Sequence, residues 1–138
     1  MINQISVFME NRSGRLNQLL KTLAEADVNI CSLAIADTGE YGIARLIVDK
    51  HAKAMAAIKE SGMTACETEV LAIEADNTPG RLYHATKLLA DNAINVEYAY
   101  SAIPANHNKA IVIVRVNDID KAVRVVNEAA DIQLVESF

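Results

Sequence analysis

The chain has 138 residues, 51% hydrophobic and 22% charged, with 13 basic against 18 acidic side chains and a formal net charge of −5. This is the balance of a globular protein, and its acidic charge and 4% aromatic content, with no Trp, exclude the cationic footprint and stacking surfaces that nucleic acids require. No apolar run reaches the ~20 residues of a membrane-spanning helix, and neither nucleic acid nor membrane is an expected partner.

The elements follow in chain order. Ile5, Val7 and Met9 alternate with Ser6 and Glu10, which predicts a half-buried strand in which Phe8 is the exception. Leu16, Leu19, Leu20 and Leu23 recur at helical spacing, with Ser13 or one of its neighbours as a candidate N-cap. Residues 28–36 predict a second strand, Asp37-Thr38-Gly39-Glu40 a turn, and residues 43–48 a third strand. A second helix is predicted over residues 52–61 and a strand over residues 64–68. Neither Gly nor Pro interrupts residues 64–76, so this strand is expected to run into the next without a flexible linker. Pro79 then suits the first turn of a helix, with Thr78 as its cap. A strand opens near Asn95, and Tyr98 and Tyr100 are expected on one face with Val96 for packing. Residues 110–116 form a nearly continuous β-branched strand. A helix over residues 119–130 and a strand over residues 132–137 close the series.

The second half repeats the first. Asn11-Arg12-Ser13-Gly14-Arg15-Leu16 returns 66 residues later as Asn77-Thr78-Pro79-Gly80-Arg81-Leu82. Past residues 103–109 the offset becomes 68, which aligns Ala44, Leu46 and Val48 with Val112, Val114 and Val116. Two extra residues in a turn are what a duplicated fold tolerates. The predicted fold class is α+β, with two tandem ferredoxin-like βαββαβ units, residues 1–68 and 69–138, and antiparallel sheets.

The motif residues carry a resemblance. Glu10-Asn11-Arg12-Ser13-Gly14-Arg15-Leu16 with Val28-Asn29-Ile30, and Asp76-Asn77-Thr78-Pro79-Gly80-Arg81-Leu82 with Ile94-Asn95-Val96, resemble the ACT domain twice over. That domain is a small amino-acid-sensing module of metabolic enzymes. The second copy is the closer match because it keeps the Pro-Gly pair, where the first has Ser13. Asn11 and Asn77 stand where many ACT domains carry aspartate. The resemblance implies a free amino acid as ligand, bound between two domains near the first strand–helix turns. The candidate ligand-binding residues are Asn11, Ser13, Gly14, Arg15, Leu16, Asn29 and Ile30 in the first copy. In the second they are Asn77, Pro79, Gly80, Arg81, Leu82, Asn95 and Val96.

Chemistry gives the motif a rationale. A helix N-terminus presents unpaired backbone N–H groups and partial positive charge, which suit a carboxylate. Glycine permits a tight turn and a close ligand approach, and the amides of Asn29 and Asn95 can meet an ammonium or a carboxylate. Equally, these glycines can simply shape the turn, the asparagines bond the backbone, and Arg15 and Arg81 be solvated.

Nothing in the sequence calls for a catalytic group, a metal or a cofactor. His51, His84 and His107 lack ligand-like spacing with Cys or carboxylates, and Glu67, Glu69 and Glu74 read as a solvated strand face. Cys31 and Cys66 are too far apart for a CxxC site and suit a reduced cytoplasm. The expected protein is a cytoplasmic, non-enzymatic amino-acid-binding regulator acting on a partner enzyme or regulator. Open sheet edges favour a homodimer. The alternative is a regulatory or interaction subunit that binds no small molecule.

Overall fold

The computed structural model describes all 138 residues. The order is β1 (Ile2–Glu10), α1 (Arg15–Glu25), β2 (Ile30–Asp37), β3 (Tyr41–Val48), α2 (His51–Glu60), β4 (Thr64–Asp76), α3 (Arg81–Asp91), β5 (Val96–Ala102), β6 (Lys109–Val116), α4 (Ile119–Glu128) and β7 (Gln133–Val135). These are two tandem βαββαβ series of ferredoxin-like type. The thirteen-residue β4 ends the first series and begins the second, unbroken by any turn. The chain forms two compact units: residues 3–68 with Phe138, here the first unit, and residues 69–137 with Met1 and Ile2, the second.

In the first unit β3 pairs antiparallel with β1 and with β2, placing Ile5 and Leu33 opposite Leu46. Ile5, Val7, Ala44, Leu46 and Val48 form one face of that sheet and pack with Leu19 and Leu23 of α1 and Ile58 of α2. Leu19 and Leu23 are fully buried, each burial contributing roughly 1.5–3 kcal/mol. In the second unit β6 pairs antiparallel with β4 and β5, and β4 with β7. Its core joins Leu71, Ile73, Val114 and Val116 to Ala85 and Leu89 of α3 and Val126 of α4. The aligned β3 and β6 series thus do the same work in each copy.

Three local expectations are corrected. Strand β1 is buried on both faces over residues 4–7, because Gln4 and Ser6 are also withdrawn from solvent, where the Gln4 amide donates to the Ser6 hydroxyl at 3.0 Å. Phe8 remains exposed at 47%. Tyr98 and Tyr100 do not share a face with Val96. A register shift lies between Val96, opposite Val116, and Tyr98, opposite Arg115. The bulge inserts one residue and inverts the alternation beyond it. The first unit has the same shift between Ile30 and Ser32, so the duplication includes the bulge. Finally, Gly80 rather than Thr78 occupies the N-cap position of α3, and Gly14, beside Ser13, that of α1, both without a side-chain cap.

Candidate functional site

The β1–α1 and β4–α3 junctions are each a four-residue turn closed on its own backbone. The Arg15 N–H donates to Arg12 O at 3.4 Å and the Arg81 N–H to Thr78 O at 3.3 Å. The third residue is glycine in the left-handed region, with φ 86 and ψ −11 at Gly14 and φ 86 and ψ −5 at Gly80. Those angles belong to the third position of a type II turn, where glycine is favoured after proline. Pro79 therefore serves the turn and precedes the helix rather than sitting in its first turn. No atom lies within 4 Å of a Cβ added at either glycine, so backbone conformation, not crowding, selects glycine. The helices start immediately afterwards, with Gln18 N–H donating to Gly14 O at 2.9 Å and His84 N–H to Gly80 O at 3.0 Å.

The two turns differ in their polar surroundings. In the first unit the Asn11 amide donates to Gly39 O at 2.8 Å and Asp37 Oδ1 at 3.4 Å, tying it to the β2–β3 turn. Arg15 bonds Gln18 at 2.7 Å and approaches Glu10 at 3.5 Å. Ser13 is exposed and Leu16 half-buried. In the second unit Asp76 pairs with Lys109 at 2.7 Å. This hydrogen bond and the Lys109 charge hold the Asp76 carboxyl below the usual carboxylate range. Arg81 and His84 both reach Asp131 Oδ2 at 2.9 Å. The Asn77 N–H donates to Asn108 O at 2.8 Å, which fixes the turn against the longer β5–β6 loop. Asn77, Pro79, Gly80 and Leu82 are exposed.

Behind the second turn, between α3 and the sheet, lies a cavity of about 230 Å³. Ile73, Ala85, Leu89, Val112 and Val114 make its apolar wall, and Asp76, Asn77, Thr78, Arg81 and Leu82 also line it. Strand register explains the space. Met9 lies opposite Gly42 as Ala75 lies opposite Ala110, and Ile35 opposite Ala44 as Ser101 opposite Val112. With the 66-residue offset in α1 and α3, Met9, Leu19, Leu20 and Ile35 of the first copy become Ala75, Ala85, Thr86 and Ser101. Gly42 and Ala44 run the other way against Ala110 and Val112, but the net side-chain volume is smaller in the second copy. The concavity near the first turn, about 300 Å³, is lined instead by Phe8, Glu10, Arg15, Tyr41 and Met63 among others.

Within each unit the remaining candidates are not brought to the turn. Asn29 and Ile30, like Asn95 and Val96, open a strand at the far end of the preceding helix. Eleven helical residues separate the two ends by about 16 Å. The Asn29 N–H donates to Asp49 Oδ1 at 2.8 Å and Asn95 N–H to Asn117 Oδ1 at 2.9 Å, so their backbones serve the strand start. Conversely, Asp76, in the motif but not among the candidates, and Ala75, Ala85 and Ser101, outside it, are cavity residues. The signal lay in comparing the core positions of the two copies, where large residues change to small.

Comparison with known proteins follows the same lines. Residues 1–137 match the family described as an ACT domain pair. A crystallised protein from Bacteroides thetaiotaomicron is 35% identical, with a TM-score of 0.88 over 96% of this chain and 91% of that one. The ligand-free regulatory subunit of aspartate kinase from Thermus thermophilus shares the fold at 16% identity, TM-score 0.67, covering 91% of each chain. The corresponding Thermus flavus subunit does so at 17% identity, TM-score 0.60, covering 91% of this chain and 90% of that one. No curated protein matches the chain at a significant level.

Proposed function

The chain belongs to the ACT domain pair family, and from that premise we propose that it is a non-catalytic regulatory protein that binds a free amino acid at the second strand–helix turn. One observation carries the location: the turn of Asn77, Pro79, Gly80, Arg81 and Leu82 borders a cavity whose wall is apolar and whose lining includes both a carboxylate and a guanidinium. An α-amino acid has the same division, a zwitterionic head and a side chain. The first-turn N–H groups of α3 and the Arg81 guanidinium suit the carboxylate; Asp76 suits the ammonium. On this reading Asn11, Ser13, Gly14, Arg15 and Leu16 maintain the equivalent turn in the first unit, with Asn11 committed to Gly39.

Ligand binding then acts through differential affinity. A ligand that prefers one assembly or docking state shifts the equilibrium towards it by the ratio of its affinities. The output lies in a partner enzyme or regulator, or in a homodimer formed along a sheet edge. The thiols of Cys31 and Cys66 are free, which suits a cytoplasmic setting.

Thermal unfolding against a panel of free amino acids at millimolar concentration tests the proposal. A ligand of the folded state raises the midpoint once its concentration exceeds Kd, so one chemical group of amino acids is expected to do so. A midpoint unmoved by every member rejects amino-acid binding and leaves the reading of an interaction subunit without a small-molecule ligand.

A further inference from the structure

We infer that the second unit's cavity selects an aliphatic amino acid of about the size of leucine or isoleucine, and that each chain binds one such molecule. The inference rests on the proposed amino-acid binding and specifies its ligand class and stoichiometry.

Volume sets the size. A dry apolar cavity of about 150 Å³ holds the six carbons of benzene. By the same density the cavity of about 230 Å³ holds about nine non-hydrogen atoms, the number in leucine or isoleucine. The wall sets the polarity. Ile73, Ala85, Leu89, Val112 and Val114 offer no hydrogen bonds to an entering side chain, and the Thr86 and Ser101 hydroxyls are the polar groups beside them, so a charged or amide group would lose most of its hydration without full replacement. The single Thr86 hydroxyl proton is shared between Leu82 O and Tyr83 O, both at 3.1 Å, and is not available to donate to a ligand.

The opening sets the head group. Asp76 and Arg81 carry opposite charges, as a zwitterion requires, and each is held by an exposed ion pair, with Lys109 and Asp131 respectively. Exposed pairs contribute little to stability, so both groups can exchange partners at small cost. The first unit sets the stoichiometry, because Met9, Leu19 and Ile35 stand where the second has Ala75, Ala85 and Ser101.

Isothermal titration of the full chain with leucine, isoleucine, valine and methionine, against lysine, aspartate, glutamine and serine, tests this. The aliphatic group is expected to bind at least tenfold more tightly, at one molecule per chain. The variant A75M/A85L, which installs the first copy's own residues, is expected to weaken leucine binding at least 100-fold without lowering the ligand-free unfolding midpoint. Should the double variant fail to fold, the single Ala85→Val change is expected to weaken leucine binding several-fold. Leucine binding unchanged in the folded variant overturns the cavity as the site. Tighter binding of polar amino acids, or two molecules per chain, overturns the ligand class or the stoichiometry while amino-acid binding stands. No heat or midpoint change with any amino acid rejects amino-acid binding itself.

Discussion

Replacing Gly80 by alanine isolates the conformational demand of the second turn. Gly80 has φ 86, and a Cβ there meets nothing within 4 Å, so the substitution adds no clash. Its cost is the left-handed backbone, about 1–2 kcal/mol for an L-residue. Alanine also stiffens the unfolded chain, which returns about 0.4–1 kcal/mol. The net destabilisation is then about 1 kcal/mol, a fall in Tm of roughly 3–6 °C for a chain of this size. Urea and thermal unfolding by circular dichroism measure it, and Gly14→Ala, at the same φ of 86, is expected to cost the same. D-alanine at position 80, introduced by ligation, is expected to restore wild-type stability because positive φ is its preferred region. An L-alanine variant as stable as wild type, or a D-alanine variant no better than the L form, refutes the reasoning.

Two further outcomes follow from the same geometry. Ala93 closes α3 in the left-handed region at φ 55, with Ile94 N–H donating to Leu89 O and Ala93 N–H to Ala90 O, both at 2.9 Å. This is a Schellman closure that favours glycine, so Ala93→Gly is expected to raise stability by about 0.5–1 kcal/mol in urea unfolding; a loss would contradict it. Lys109 holds the Asp76 carboxyl low. The stabilisation from that shift is present above the unfolded carboxylate pKa of about 3.9 and is lost as pH falls through the lower folded value. In Lys109→Met the Asp76 titration followed by NMR is expected to move up towards the ordinary value, and an unmoved titration rejects the pairing.

Much of the fold was legible because the duplication states each element twice. The Leu16–Leu23 periodicity, the matched β3 and β6 faces and the uninterrupted run through residues 64–76 all have direct structural counterparts. What was misread depended on geometry that pattern leaves open. Pro79 is compatible with both a helical first turn and a type II turn, and the left-handed Gly80 decides for the turn. Strict alternation puts Tyr98 on the face of Val96, and a one-residue bulge reverses it. Within a unit, Asn29 and Asn95 lie a full helix away from the glycine turns, a separation that the sequence order alone does not put a length on. The cavity needed the register of both sheets before Met9 could be matched with Ala75, or Ile35 with Ser101.

The cavity beside α3, as the proposed ligand site, has a consequence for the protein's lifetime. Apolar cavities lower stability by about 24 cal/mol per Å³. At that rate a closed void of about 230 Å³ would correspond to about 5.5 kcal/mol, an upper bound here because this cavity opens to solvent. A ligand that binds only the folded chain adds stability that grows as the logarithm of its concentration above Kd. Cellular proteases act on the unfolded fraction, and changes of 1–2 kcal/mol can alter protein abundance several-fold. On the proposed amino-acid binding, the amount of this protein in a cell would rise and fall with that amino acid, a second readout that requires no partner.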